Sequence, residues 1–225
     1  MNQAEQNTTA GGMQEPYGDA HAHLEKQAMS DYNVIHAVAE TLKQLLWSSM
    51  QHDSVITSII GATDLRITFD PPNKLVKEDN PDNDCLSLYL YRVVENGEMK
   101  NRPPEPRDGQ TLRNPPLSLN LFYLVTPLTD SADKDHKLLG KTMQVFYDNA
   151  LIKGEALKGI LENTAEELRL ILNPVSLEDS TKLWSAFLRP YRLSICYEVK
   201  VVHIDSERET EGERVRRKRL EFTQF

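Results

Sequence analysis

From Leu183 to Asp205 the chain reads as the end of a helix, a proline turn and one long alternating strand. The helix runs to about Phe187, and Pro190 prevents its continuation because it has no backbone N–H to donate. Tyr191, Leu193, Ile195, Tyr197, Val199 and Val201 then fall on one face of a strand predicted over Tyr191–Ile204. A helix that delivers such a strand has to pack beside a sheet, so the segment points to an α/β fold. Trp184, Phe187 and Tyr191 sit across this junction. They read as the plug that seats the helix on the sheet, or as part of a binding surface, which aromatics also favour.

The rest of the chain extends this pattern. Residues 1–29 are rich in Gln, Asn, Thr, Ala and Gly with almost no large aliphatics, and are expected to form a flexible tail. Order is expected to begin at Ser30 or Asp31, either of which can cap a helix. Val34, Ile35, Val38, Leu42, Leu45 and Leu46 then recur at helical spacing. Leu65–Phe69 is read as a short strand stopped by Pro71-Pro72, with a loop to Asp84. Leu86–Val94 is rich in β-formers and ends at Glu95-Asn96-Gly97. Asn101–Pro116, dominated by proline and charge, is read as an extended surface loop. Leu117–Val125 is nearly all apolar, as a strand buried on both faces would be. Asp133–Asp148 is read as a helix with Leu138, Leu139, Val145 and Phe146 toward the core. A short helix or turn near Glu155-Ala156-Leu157 leads to a strand over Glu167–Leu172, ended by Asn173-Pro174. Ser176-Leu177-Glu178-Asp179 places a hydroxyl three residues before an acid, the pattern of a capping box.

The fold class expected is α/β of the α+β kind. It would be a single domain over 30–205 with a mixed, largely antiparallel sheet flanked by helices. A charged C-terminal arm, 206–225, follows: acidic over Ser206–Glu213, basic over Arg214–Arg219, then Leu220, Phe222 and Phe225.

Composition narrows the function. The chain has 225 residues, 39% of them hydrophobic, enough for one sizeable core. Its net charge is −8 and its pI about 5.3. A chain this acidic is a poor general binder of nucleic acid or of anionic membranes. No apolar run reaches the length of about 18–20 residues that a membrane helix needs, and no secretory signal is visible. Cys85 and Cys196 fall inside predicted strands and are expected to be reduced, buried thiols.

Catalytic signatures fail in turn. Lys153–Gly159 lacks the order of a phosphate loop, and neither a His-Glu-x-x-His zinc motif nor a Gly-x-Ser-x-Gly elbow occurs. His21 and His23 form a pair in the expected tail, where they read as solvated. His36 and His203 read as packing or surface residues, and His136 as solvated at a charged helix start. No catalytic, cofactor or metal residue is assigned. Arg92 and Arg192, within otherwise aliphatic strands, are either sheet-face ion pairs or interface residues.

Several blocks, taken in order, carry a family resemblance. They are Asp31–Val38 with Thr41–Leu46, Leu88–Asn96, Asn101-Arg102, Pro115–Thr126, His136–Gln144 and Leu183–Asp205. Together they resemble the cap, or tail-terminator, proteins of extracellular contractile injection systems, phage-tail-like particles of the antifeeding-prophage type. The resemblance implies a structural role without catalytic residues. It implies a homo-oligomeric ring, six subunits being favoured, that contacts sheath and inner-tube proteins at the end away from the baseplate. It implies cytoplasmic assembly within a particle that is then released or anchored. A phage-type neck or connector protein is the alternative, followed by an α/β ligand-binding domain or enzyme with a scattered site. For partner binding, the arm supplies Arg214, Arg216, Arg217, Arg219 and Phe222 as candidates. As an extended strand it would place Val215, Arg217 and Arg219 on one side and Arg214, Arg216, Lys218 and Leu220 on the other.

Overall fold

The computed structural model describes residues 31–75, 84–100, 102–106 and 111–211. In chain order the elements are α1 (Val34–Met50), α2 (Ser54–Ile60), β1 (Ile67–Thr68), α3 (Pro72–Leu75), β2 (Cys85–Glu95), β3 (Glu105–Pro106), β4 (Thr111–Arg113), β5 (Leu117–Leu128), α4 (Ala132–Asp148), β6 (Leu151–Lys153), β7 (Glu167–Asn173), α5 (Leu177–Ala186), β8 (Ile195–Ile204) and β9 (Glu209–Glu211). A six-stranded sheet has the order β1-β2-β5-β8-β7-β6, antiparallel except where β1 runs parallel to β2. A second sheet joins β3, β4 and β9. This is the α/β class with a largely antiparallel sheet that the sequence predicts.

The large sheet buries one face against α1 and α4. Val34, Val38, Leu42 and Leu46 of α1 and Leu138, Val145 and Phe146 of α4 meet Leu86, Leu88, Leu121, Tyr123, Val125, Tyr197 and Val199 from the strands. Phe146 stands edge-on to Tyr197, ring centroids 4.8 Å apart. β5, central in the sheet, is buried along most of its length, as its apolar run predicts.

Local chemistry sets most element ends. Ser131 accepts from the N–H of Lys134 at the start of α4. Asp53 accepts from Val55 and Ile56 at the start of α2, and these N–H donors hold its carboxyl below the usual range. α1 starts later than expected: the Asp31 carboxylate accepts from the Asn33 N–H at 2.8 Å, so it closes a turn before the helix instead of capping it.

Four further expectations are corrected. Only Ile67–Thr68 of the predicted Leu65–Phe69 strand pairs; Asp64–Arg66 is a 3₁₀ turn closed by the Thr63 hydroxyl. Pro72–Leu75 opens the expected loop with a short helix. The stretch Asn101–Pro116 contributes β3 and β4 to the second sheet, where Glu209–Glu211 pairs with Thr111–Arg113. The strand expected from Tyr191 enters the ladder only at Ile195. Within it a bulge falls between the pairs Leu121↔Val199 and Leu119↔Val202. This extra residue breaks the alternation, and Val202 joins Val199 in the core, the place a strict period of two gives to Val201.

Candidate interaction surface

The described residues cover the sheet face opposite the core only in part, and its chemistry comes from a second bulge. Leu90 pairs with Tyr123 and Arg92 with Phe122, which leaves Tyr91 as the extra residue on β2. Tyr91 and Arg92 therefore reach the same ring. Tyr91 stands edge-on to Phe122 at 6.4 Å between centroids, and the Arg92 guanidinium lies 5.1 Å above it. Arg92 is thus a surface cation on an aromatic face, which the sequence left open between ion pair and interface. Beside it, Asn96 donates to Asn120 at 3.0 Å and Asn120 to Glu198 at 2.8 Å.

Helix α5 forms a ledge on this face. Ser176 accepts from the Asp179 N–H at 3.1 Å and donates to its carboxylate at 2.8 Å, so the predicted cap is made. Of α5, only Trp184 is buried. Trp184 contacts Phe187 and Tyr191 at 5.7 and 6.3 Å, and Phe187 meets Tyr89 of β2 at 5.9 Å. The aromatic trio is the plug the sequence suggests. Between α5 and the strands opens a groove of about 560 Å³ whose lining includes Tyr91, Arg92, Asn173, Lys182 and Leu183.

The helix ends in a way the sequence reading above does not anticipate. The N–H of Leu188 donates to Ser185 and that of Arg189 to Trp184, a Schellman closure with Leu188 in the left-handed position at φ 54°. Glycine normally stands there. Leu188 is 90% exposed, with Leu177, Tyr191 and Leu193 also in solvent nearby along the chain. The legible clue is the run Phe187-Leu188-Arg189-Pro190, a helix end closed by proline without glycine.

Arg192 precedes the strand and is committed to structure. It donates to the Thr129 carbonyl at 3.0 Å and lies 3.5 Å from Asp135. Next to it Lys134 bridges Asp84 and Asp130, each at 2.9 Å, and these bonds raise its pKa above the ordinary lysine value. His203 meets Glu166 at 3.2 Å, His36 stands edge-on to Phe69, and His136 is exposed. Cys85 and Cys196 are free and buried, and burial pushes the Cys85 thiol up to about 11. Among the described residues no group of three or more His, Cys, Asp or Glu is placed to hold a metal ion. Arg214, Arg216, Arg217, Arg219 and Phe222 lie outside the described residues, as do His21 and His23. What the described surface offers is contact chemistry: rings, a stacked guanidinium and apolar side chains in solvent.

Residues 37–218 match the Pvc16 N-terminal domain family. Among solved structures, the PVC sheath/tube terminator of an extracellular contractile injection system, in its extended state, is similar at 16% identity and a TM-score of 0.51. The match covers 78% of this chain and 63% of that one, so the chain spans less than two thirds of the terminator's length. The tube-terminating cap of the anti-feeding prophage matches at 15% identity and a TM-score of 0.48, over 76% of this chain and 59% of the cap. No curated protein matches the chain.

Proposed function

Because the chain belongs to the Pvc16 N-terminal domain family, we propose that it caps a contractile injection particle, ending the tube and sheath at the end distal to the baseplate. The observation that carries this reading is the family match over 37–218, and the fold shared with a sheath/tube terminator supports it. The role is structural and needs no reaction. A growing tube and sheath add like rings, and a last ring must present a docking face below and none equivalent above. A closed ring of one chain does this through heterologous contacts that return on themselves after a fixed rotation, and we place six copies in it. Its partners are other copies of itself, the sheath and the inner tube.

In this reading residues 30–205 form the body, β9 returns onto the second sheet, and the chain beyond 211 reaches outward. Arg214, Arg216, Arg217, Arg219 and Phe222 bind a neighbouring protein. Assembly takes place in the cytoplasm, within a particle then released or anchored. Among the described residues no helix is long and apolar enough to cross a membrane. The test is a strain lacking the protein, imaged beside one carrying a labelled copy. The label is expected at the end away from the baseplate, and the deletion is expected to give tubes and sheaths of uncontrolled length, or none that survive purification. A label along the sheath or at the baseplate, or stable particles of normal length without the protein, would reject the reading.

A further inference from the structure

The large sheet ends on one side with β6, three residues long. Among the described residues, its other side is closed over a small part only. β1 pairs with Leu86 and Ser87, so β2 from Leu88 to Glu95 has no strand partner on that side among the described residues. At the usual rise this leaves roughly 25 Å of edge, along which alternate N–H and C=O groups face outward. Sheets normally blunt such an edge with lysine, proline or shortness. Here β2 has eleven residues, no lysine and no proline, and Val93 is exposed. The bulge at Tyr91 interrupts it, and exposed Arg92 and Glu95 are its charged residues.

The register of the second sheet fixes the direction of the chain as it reaches Glu211. β4 runs toward the large sheet and enters β5 through Asn114-Pro115-Pro116. β9 runs antiparallel to β4, with Glu209 opposite Arg113 and Glu211 opposite Thr111. The chain therefore passes through β9 in the direction opposite to β4, away from the Asn114-Pro115-Pro116 connection into β5. The residues that follow suit an edge strand. Arg214–Phe222 contains no proline or glycine, and fully extended it spans roughly 30 Å, enough to cover the open edge. Its cations meet a chain of net charge −8. Carboxylates stand at both ends of the edge: Glu98 and Glu95 at one, Glu95 already paired with Lys100 at 2.8 Å, and at the other Asp70, whose carbonyl accepts from Ser87 at 2.7 Å.

We propose that residues 214–222 of one copy add as a strand to the free edge of β2, Leu88–Glu95, of a second copy. The inference rests on the ring reading and names its contact. Main-chain hydrogen bonds supply the affinity, and the arginines meeting acids at the edge's ends set the register.

The test places a photo-reactive benzoylphenylalanine at position 222 of the full-length chain. That chain is mixed with a heavy-isotope copy and illuminated, both in solution and in assembled particles. Mass spectrometry is expected to find cross-links between light and heavy copies, ending within or beside Leu88–Glu95. Links confined to one copy, links to another surface or another protein, or no link between copies in either setting would overturn the proposal. The outcome is separable from the cap reading. Cross-links of the expected kind in a protein found away from the particle end would uphold strand exchange and reject the cap.

Discussion

Leu188 sits where a helix end asks for glycine. A leucine in the left-handed region is strained by contact between its Cβ and the backbone, by roughly 1–2 kcal/mol. At 90% exposure it recovers almost nothing by burial. Leu188→Gly is therefore expected to raise stability by about 0.5–1 kcal/mol, the relief of strain being partly offset by the greater freedom of glycine when unfolded. Urea denaturation of the two proteins, compared at equal slope, reads this directly. A loss of stability would mean that Leu188 makes a contact its exposure conceals. Lys134 gives a second residue-scale expectation. The hydrogen bonds it donates to Asp84 and Asp130 hold its pKa above the ordinary 10.5. A raised lysine pKa adds stability that is complete below the unfolded value and is lost as pH rises through the folded one. Stability is expected to fall above about pH 10.5. The buried Tyr123 also titrates late and contributes to the same fall. Thermal melts of wild type and Lys134→Met isolate the lysine: the gap between them should narrow as pH rises past that point. A gap independent of pH would remove Lys134 from the account.

At the scale of elements, the sequence was legible where the signal is local and repeated. The face of α1, the strand β2, the core residues of α4 and the Ser176 cap each follow from a periodicity or a spacing carried within a dozen residues. It was illegible where pairing is short and distant. β4 joins β9 across about a hundred residues by a three-residue ladder, and neither strand has an alternating pattern of its own. The Leu65–Phe69 run alternates well, yet Thr63 starts a 3₁₀ turn that takes its first half. Bulges are the other blind spot. One extra residue in β8 brings Val202 into the core, and one in β2 turns Tyr91 and Arg92 onto one ring. Periodicity assumes an unbroken pleat, and only the partner strand shows where the pleat breaks.

At the scale of the whole molecule, charge is distributed unevenly along the chain. The protein is acidic as a whole, yet Arg214, Arg216, Arg217, Lys218 and Arg219 crowd into one short run. That asymmetry was legible from composition. The open edge of β2 was not, because an edge exists only once the order of strands is known. If copies are joined by a basic strand on an acidic neighbour, two terms hold the assembly, and they respond differently to salt. Main-chain hydrogen bonds are nearly indifferent to it, whereas pairs between exposed charges are screened over a Debye length. Each rim-exposed pair is worth about 0–1 kcal/mol, so the ladder must carry most of the affinity. Changing Arg216, Arg217 and Arg219 together to Glu is accordingly expected to weaken self-association by about tenfold to a hundredfold at low salt. The deficit should shrink between about 0.05 and about 0.5 M salt as the repulsion it introduces is screened. Removing residues 214–225 takes away the ladder as well, so its deficit should be larger and should persist at high salt. Sedimentation equilibrium across the salt series distinguishes the two terms, and a melting temperature unchanged in both variants shows that the body is intact. Equal association by the wild type and the truncated chain would leave the basic run with no part in joining copies.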